Sequence, residues 1–208
     1  MKYLTLLLLL CSTPAAALTL PSTTEAHYSE DVAAGYAACT RVIDINGHRS
    51  LTHGAGSMLD RFWAVRTCEV AVEVAHKIGL RGEVVRYYVA AWGIQESNWS
   101  AAAAGDNTEL GPLQIKANTC RDAIDRRCHA KDGLVVHLTA SLKYLDFVRE
   151  FGNGSWHDAL AAYRAGPGAW SCVRRGSCTE SNWAGRRSGL RYSSQVLARV
   201  DILRAGAG

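Results

Sequence analysis

Glu96 is the first side chain in this sequence whose placement suggests chemistry. Val85, Val89, Trp92 and Glu96 fall at i, i+4, i+7 and i+11, one stripe of a helix predicted over residues 83–96. A carboxyl at the C-terminal end of an apolar stripe feels the unfavourable end of the helix dipole. Burial against that stripe acts in the same direction. Both effects raise the proton affinity of the carboxyl and keep a proton available near neutrality, as a general acid for glycosidic cleavage requires. A helix-end glutamate turned out to solvent has the same spacing, so position alone leaves both readings open.

The elements that would carry such a site are mostly helical. Residues 57–78 hold Met58, Phe62, Val65, Val70, Val72 and Val74 before Gly79, and read as a helix with a glycine stop. Residues 100–116, with Gly105, Asp106, Asn107 and Gly111, read as a turn-rich segment or small β-ribbon. A further helix is predicted over 134–151, stopped by Gly152-Asn153-Gly154. Ser155 reads as the N-cap of a short helix ending near Ala162, with Asp158 completing a capping-box variant. Gly166-Pro167-Gly168 breaks the chain again, and a last helix is expected from about Tyr192 to Leu203. Strand-like alternation is scarce, so the class is mainly α with at most a small sheet.

The ends and the cysteines bear on compartment. Lys2, the apolar run Leu4 to Leu10 and the small residues Ala15, Ala16 and Ala17 read as a secretory signal peptide cut near Ala17. That run is too short for a membrane anchor, and no stable membrane insertion is expected. The expected organisation is a signal peptide over 1–17, a flexible leader over 18–30 and one domain over 31–208, exported to the periplasm or secreted. Six cysteines remain after residue 17, an even number that favours disulfides over metal or redox chemistry in an exported chain. The short spacings point to Cys120–Cys128 and Cys172–Cys178, leaving Cys39–Cys68. No pair has zinc-site spacing, and neither a metal nor a cofactor is expected. The formal charge of +4 is mildly basic and the arginines are dispersed, which gives nucleic-acid binding little support.

Three segments then resemble a known family. Glu96-Ser97, Gly111-Pro112-Leu113-Gln114-Ile115 and Ala162-Tyr163-Arg164-Ala165-Gly166-Pro167 resemble the E-S, G-L-M-Q-I and A-Y-N-A-G-P motifs of the soluble lytic transglycosylase (SLT) domain, in the lysozyme-like superfamily. The separation of Glu96 and Gln114 is similar to the family's, and Tyr144-Leu145 resembles its Y-L pair. The resemblance implies an α+β lysozyme-like fold, a helical domain with a small β-ribbon at the cleft, here stapled by disulfides. It also implies an enzyme acting on peptidoglycan glycan strands; the sequence is silent on oligomeric state, and a monomer is the default expectation.

Carried over by motif, Glu96 is the expected catalytic acid and base, and Tyr163 the hydroxyl near it that orients it or tunes its proton affinity. Ser97 would hold the end of the catalytic helix, while Gln114 and Tyr144 would line the substrate cleft. Arg164 stands where the family has asparagine, either to meet an acidic stem peptide or simply exposed. By the same resemblance, the acid would protonate the glycosidic oxygen between N-acetylmuramyl and N-acetylglucosaminyl units. It would then act as base on the muramyl C6 hydroxyl, giving a 1,6-anhydro product. Asp106 and Glu109 are the candidates for a second carboxylate, which would make the enzyme a hydrolytic muramidase instead. Asp106 in Gly-Asp-Asn is equally a turn former. A glycan-binding component of a secretion or lysis system is the non-enzymatic alternative. In either case Trp99, Trp156 and Trp170 are candidates to stack on sugars, although buried packing is the commoner use of tryptophan.

Overall fold

The computed structural model describes residues 30–50, 58–100, 103 and 108–207; the side chains of 47–50, 58–59, 152 and 174 are not among those described. The predicted signal peptide, most of the predicted leader, and Asp106 lie outside the described residues. Glu30, placed in the leader by the sequence reading, is already helical. The helices are α1 (Glu30–Ser50), α2 (Met58–Lys77), α3 (Val89–Ser97), α4 (Cys120–Ile124), α5 (Leu134–Arg149), α6 (Trp156–Ala165), α7 (Gly168–Arg175) and α8 (Glu180–Ala205). A π-helical turn, Val84–Tyr88, leads into α3, and a 3₁₀ turn, Glu150–Gly152, follows α5. Strands β1 (Glu109–Leu110) and β2 (Ile115–Lys116) pair antiparallel, Glu109 opposite Lys116 and Leu110 opposite Ile115. The mainly α class with a small ribbon is therefore the observed one. Among the described residues, no helix is long and apolar enough to cross a membrane.

The core lies where α1, α2, α3, α5, α6 and α8 converge. Trp92, Leu113, Leu138, Leu142, Leu160 and Val196 are all fully buried in it. All three expected disulfides are present. Cys39–Cys68 ties α1 to α2, Cys120–Cys128 closes the loop after β2, and Cys172–Cys178 fastens α7 to the start of α8.

The helix expected over 83–96 is not regular. At the π turn the Val89 N–H donates to the Val84 carbonyl, a wider i→i+5 ring. Val84, Val85, Tyr88 and Val89 are all buried. The wider turn brings the adjacent Val84 and Val85 inward together, which a regular helix does poorly. The stripe proposed from sequence thus holds only from Val89 onward.

The C-terminal helix is more than twice its expected length. It starts from Thr179, whose side chain accepts from the Asn182 N–H while the Asn182 side chain accepts from the Thr179 N–H. Gly189 within it is a packing device. A Cβ on Gly189 would stand 2.4 Å from the Ala161 carbonyl oxygen, so only glycine allows α8 to lie this close to α6. The expected Ser155 cap of α6 is present, with Asp158 N–H donating to Ser155 Oγ, and the helix runs on to Ala165.

Candidate active site

Helix α3 ends at the site, and its ending is heavily constrained. Asn98 and Trp99 both adopt left-handed backbone (φ 53° and 62°), a costly conformation for residues with a Cβ. The reversal folds Trp99 back against its own helix. Its Nε1 donates to the Ala90 carbonyl at 3.0 Å, and its ring lies over Gly93, where a Cβ would come within 2.1 Å of it. Helix end, tryptophan and glycine thus form one rigid unit presenting Glu96.

Glu96 is half-buried. Trp92 Nε1 donates to its Oε1 at 3.3 Å, and the Tyr192 hydroxyl donates to the same oxygen. Among the described residues both hydrogen bonds fall on Oε1, so Oε2 is the oxygen left for chemistry. Burial raises the Glu96 proton affinity; the hydrogen bonds from Tyr192 and Trp92 and the charge of Arg164 oppose it, and Glu109 adds to it. The net direction is upward, as the helix-end position suggested. Burial also holds the Tyr192 and Tyr163 hydroxyls far above the ordinary phenol value and pushes Tyr144 up to about 12. All three stay protonated near neutrality, so Tyr192 meets Glu96 as a donor.

Sequence reasoning assigned the orienting hydroxyl to Tyr163, and the geometry differs. The Tyr163 hydroxyl donates to the Leu113 carbonyl at 2.8 Å, while its ring packs edge-on against Trp92, 4.7 Å between centroids. Its charge environment still includes Glu96, but its hydrogen bond goes elsewhere. The hydroxyl on Glu96 comes from Tyr192, which sequence reasoning passed over. It stood at the predicted start of a helix, outside any recognised motif. Continuing the periodicity of α8 back to the Thr179 cap would have exposed it as an inward-facing polar aromatic.

The other expected residues are drawn together around the ribbon turn. Ser97 Oγ donates to the Pro112 carbonyl at 2.7 Å, so α3 grips one end of the turn while Tyr163 on α6 grips the next carbonyl. Leu113, fully buried between those tethers, anchors the turn with about 2 kcal/mol of burial. Gln114 follows in left-handed backbone (φ 50°), its Nε2 donating to the Gly111 carbonyl at 2.8 Å. Its Oε1 is the acceptor left to face the cleft. The Ser97 hydroxyl is engaged with backbone, which suits a positioning role rather than contact with a ligand.

A cleft of about 450 Å³ runs along this arrangement and continues into a second of about 300 Å³, within the range of small-ligand sites. Glu96, Glu109, Gln114, Arg164 and Ser188 line both parts. Tyr144 and Tyr163 line the first, Tyr192 the second. Trp99 and Trp170 are buried, and Trp156 lies under the Arg149 guanidinium, 4.6 Å from its ring centre. None of these tryptophans lines the cleft, and for Trp99 and Trp170 the packing role holds rather than sugar stacking.

A family model described as the transglycosylase SLT domain matches residues 73–183, more than half of the chain. The matched segment contains Glu96, Gln114, Tyr144 and Tyr163, and ends before Tyr192. No curated protein and no solved structure gives a significant match.

Proposed function

From the premise that this chain belongs to the transglycosylase SLT domain family, we propose that it is an exported lytic transglycosylase cleaving peptidoglycan strands, with Glu96 as acid and then base. The observation that carries this is the state of Glu96: a desolvated carboxyl of raised proton affinity, held through Oε1 and lining a cleft.

In the proposed reaction the Glu96 proton passes to the oxygen of the muramyl–glucosaminyl β-1,4 bond. The bond from that oxygen to the muramyl C1 breaks, and the glucosaminyl unit leaves with a free 4-hydroxyl. The Glu96 carboxylate next takes the proton of the muramyl C6 hydroxyl, and O6 closes on C1. The product is a 1,6-anhydro sugar, and the proton is back on Glu96. No water is consumed. Tyr192 and Trp92 hold the carboxyl through both transfers and stabilise it while it is charged. Gln114 and Tyr144 contact the sugars, and Ser97 and Tyr163 fix the turn that carries Gln114. The disulfides fit an oxidising, exported environment, which the amino-terminal signal peptide would provide.

One observation favours hydrolysis instead. Glu109 lines the same cleft and acts electrostatically on Glu96, so it is a candidate to activate water. Digestion of purified murein followed by mass spectrometry of the fragments separates the two. Anhydro-muramyl ends are expected, whereas reducing muramyl ends would replace this proposal with a muramidase. Failure to cleave at any pH between about 4 and 8 would remove Glu96 from the catalytic role.

A further inference from the structure

Helix α8 carries five arginines, and four of them have partners. Arg186 lies over the Trp170 ring, Arg187 pairs with Glu180, Arg199 donates to Gln95, and Arg204 pairs with Glu83. Arg191 makes no hydrogen bond or ion pair with any described residue, yet it lines the cleft beside Glu96. Arg164 on α6, also exposed and without an ion pair within 4 Å among the described residues, lines the same part of the cleft. Lys116 adds a third cation to the adjoining part.

When Glu96 holds its proton, Glu109 is the one charged acid among the described lining residues, facing these three cations. Such an arrangement leaves the cleft with an unmet preference for an anion. Guanidinium groups present planar forks of donors that match a carboxylate, and a concave wall raises their effect over that of open surface.

We infer that Arg164 and Arg191 together form a carboxylate-binding subsite next to Glu96. It takes the acidic arm on O3 of the muramyl sugar, and so distinguishes muramyl units from N-acetylglucosamine. This rests on the peptidoglycan reading above and adds to it the feature of the strand that is selected. The carboxylate has two sources on such a strand: the lactyl group itself where the peptide is absent, or an acidic residue of the attached peptide. The chemistry recognised is the same.

The test uses the full chain with Glu96→Gln, which binds without cleaving. Dissociation constants are measured for three tetrasaccharides: N-acetylglucosamine only, murein without peptide, and murein with peptide. The carboxylate-bearing ligands are expected to bind about tenfold more tightly than the first, an advantage that shrinks at high salt. Adding Arg164→Gln and Arg191→Gln should reduce that advantage to about twofold or less, while Arg191→Lys should retain part of it. If the peptide-free ligand alone shows the advantage, the lactyl carboxylate is the source; if both murein ligands show it, the subsite accepts either carboxylate, because the lactyl group of the peptide-bearing ligand is an uncharged amide. If the peptide-bearing ligand alone shows it, the peptide is the source. Equal binding of all three, or an advantage that survives the double substitution, overturns the inference while leaving strand cleavage standing. If none of the three binds, the peptidoglycan reading falls and takes the inference with it.

Discussion

The Tyr192 hydroxyl donates to Glu96 Oε1 across 96 residues of chain, from the middle of the last helix to the end of α3. This bond does two things to the carboxyl. It fixes the oxygen that stays occupied, and it favours the charged form against the burial that disfavours it.

Tyr192→Phe should therefore act on both counts. Cleavage is expected to fall about tenfold in kcat/KM, the order for losing one hydrogen bond to a charged group. The Glu96 proton affinity should rise further, so the alkaline limb of the pH profile should move to higher pH. Loss of activity without any movement of that limb would mean that Tyr192 serves folding alone.

Glu109→Gln should displace the same limb the other way. Glu109 raises the Glu96 proton affinity, so removing its charge lowers it, and the active acid form is lost at lower pH. Under the proposed reaction the products remain anhydro sugars. A variant that has lost all cleavage would transfer the water-activating role to Glu109.

Glu96→Gln should trade activity for stability. Cleavage is expected to drop at least ~100-fold. The folded-state proton affinity of Glu96 lies above that of the unfolded chain. The folded state therefore holds more protons between the two values, and stability falls as pH rises through that window. Glutamine removes the fall. Thermal melting should show the variant more stable than the parent at neutral pH, with the difference vanishing below the ordinary carboxyl range.

Gly93→Ala should cost about 3 kcal/mol, because its Cβ would enter the Trp99 ring. Denaturant unfolding measures the loss. Activity of the remaining folded protein should fall too, since the displaced tryptophan belongs to the unit that presents Glu96. An alanine variant with the parent's midpoint would contradict this packing.

Replacing Cys120 and Cys128 with alanine should destabilise by about 2–3 kcal/mol, from the loop-closure entropy of so short a ring. Thr119 and Lys116, just ahead of this loop, line the cleft, so KM should rise more than kcat falls. Parallel melting and kinetic measurements would separate the two effects.

Much of this site was legible in the sequence because it depends on short-range spacing. Glu96 sits on a helix whose last turns are regular, and Ser97, Gln114 and Tyr144 fall in local segments whose backbone the sequence implies. Glycine and cysteine spacing located the ribbon and the pairings. What escaped depends on contacts between distant segments. Tyr163 stands at its expected place in the chain, but the carbonyl it meets belongs to the turn after β1, so its partner was not readable from α6. Tyr192 required knowing that Gly189 draws α8 onto α6. The π turn escaped because periodicity assumes the regular helical ring, and two adjacent buried valines look alike under either geometry. Helix α1, whose first turn feeds Asp31 to Arg86, carried no pattern strong enough to be picked out.

The π turn also governs which lesions the protein can tolerate. A π turn contains one residue more than a regular helix needs to span the same rise. Deleting a single residue between Val84 and Tyr88 would let the segment relax into an unbroken α-helix, with every side chain from Val89 to Ser97 still in place. Because the π turn already absorbs the extra residue, the residues after it would keep their direction relative to α1 and α2, and Glu96 would stay beside Tyr192 and the cleft. A one-residue deletion within the π turn should therefore leave the site intact, whereas the same deletion within the regular turns of α3 would swing the residues beyond it by about 100° and carry Glu96 away from Tyr192.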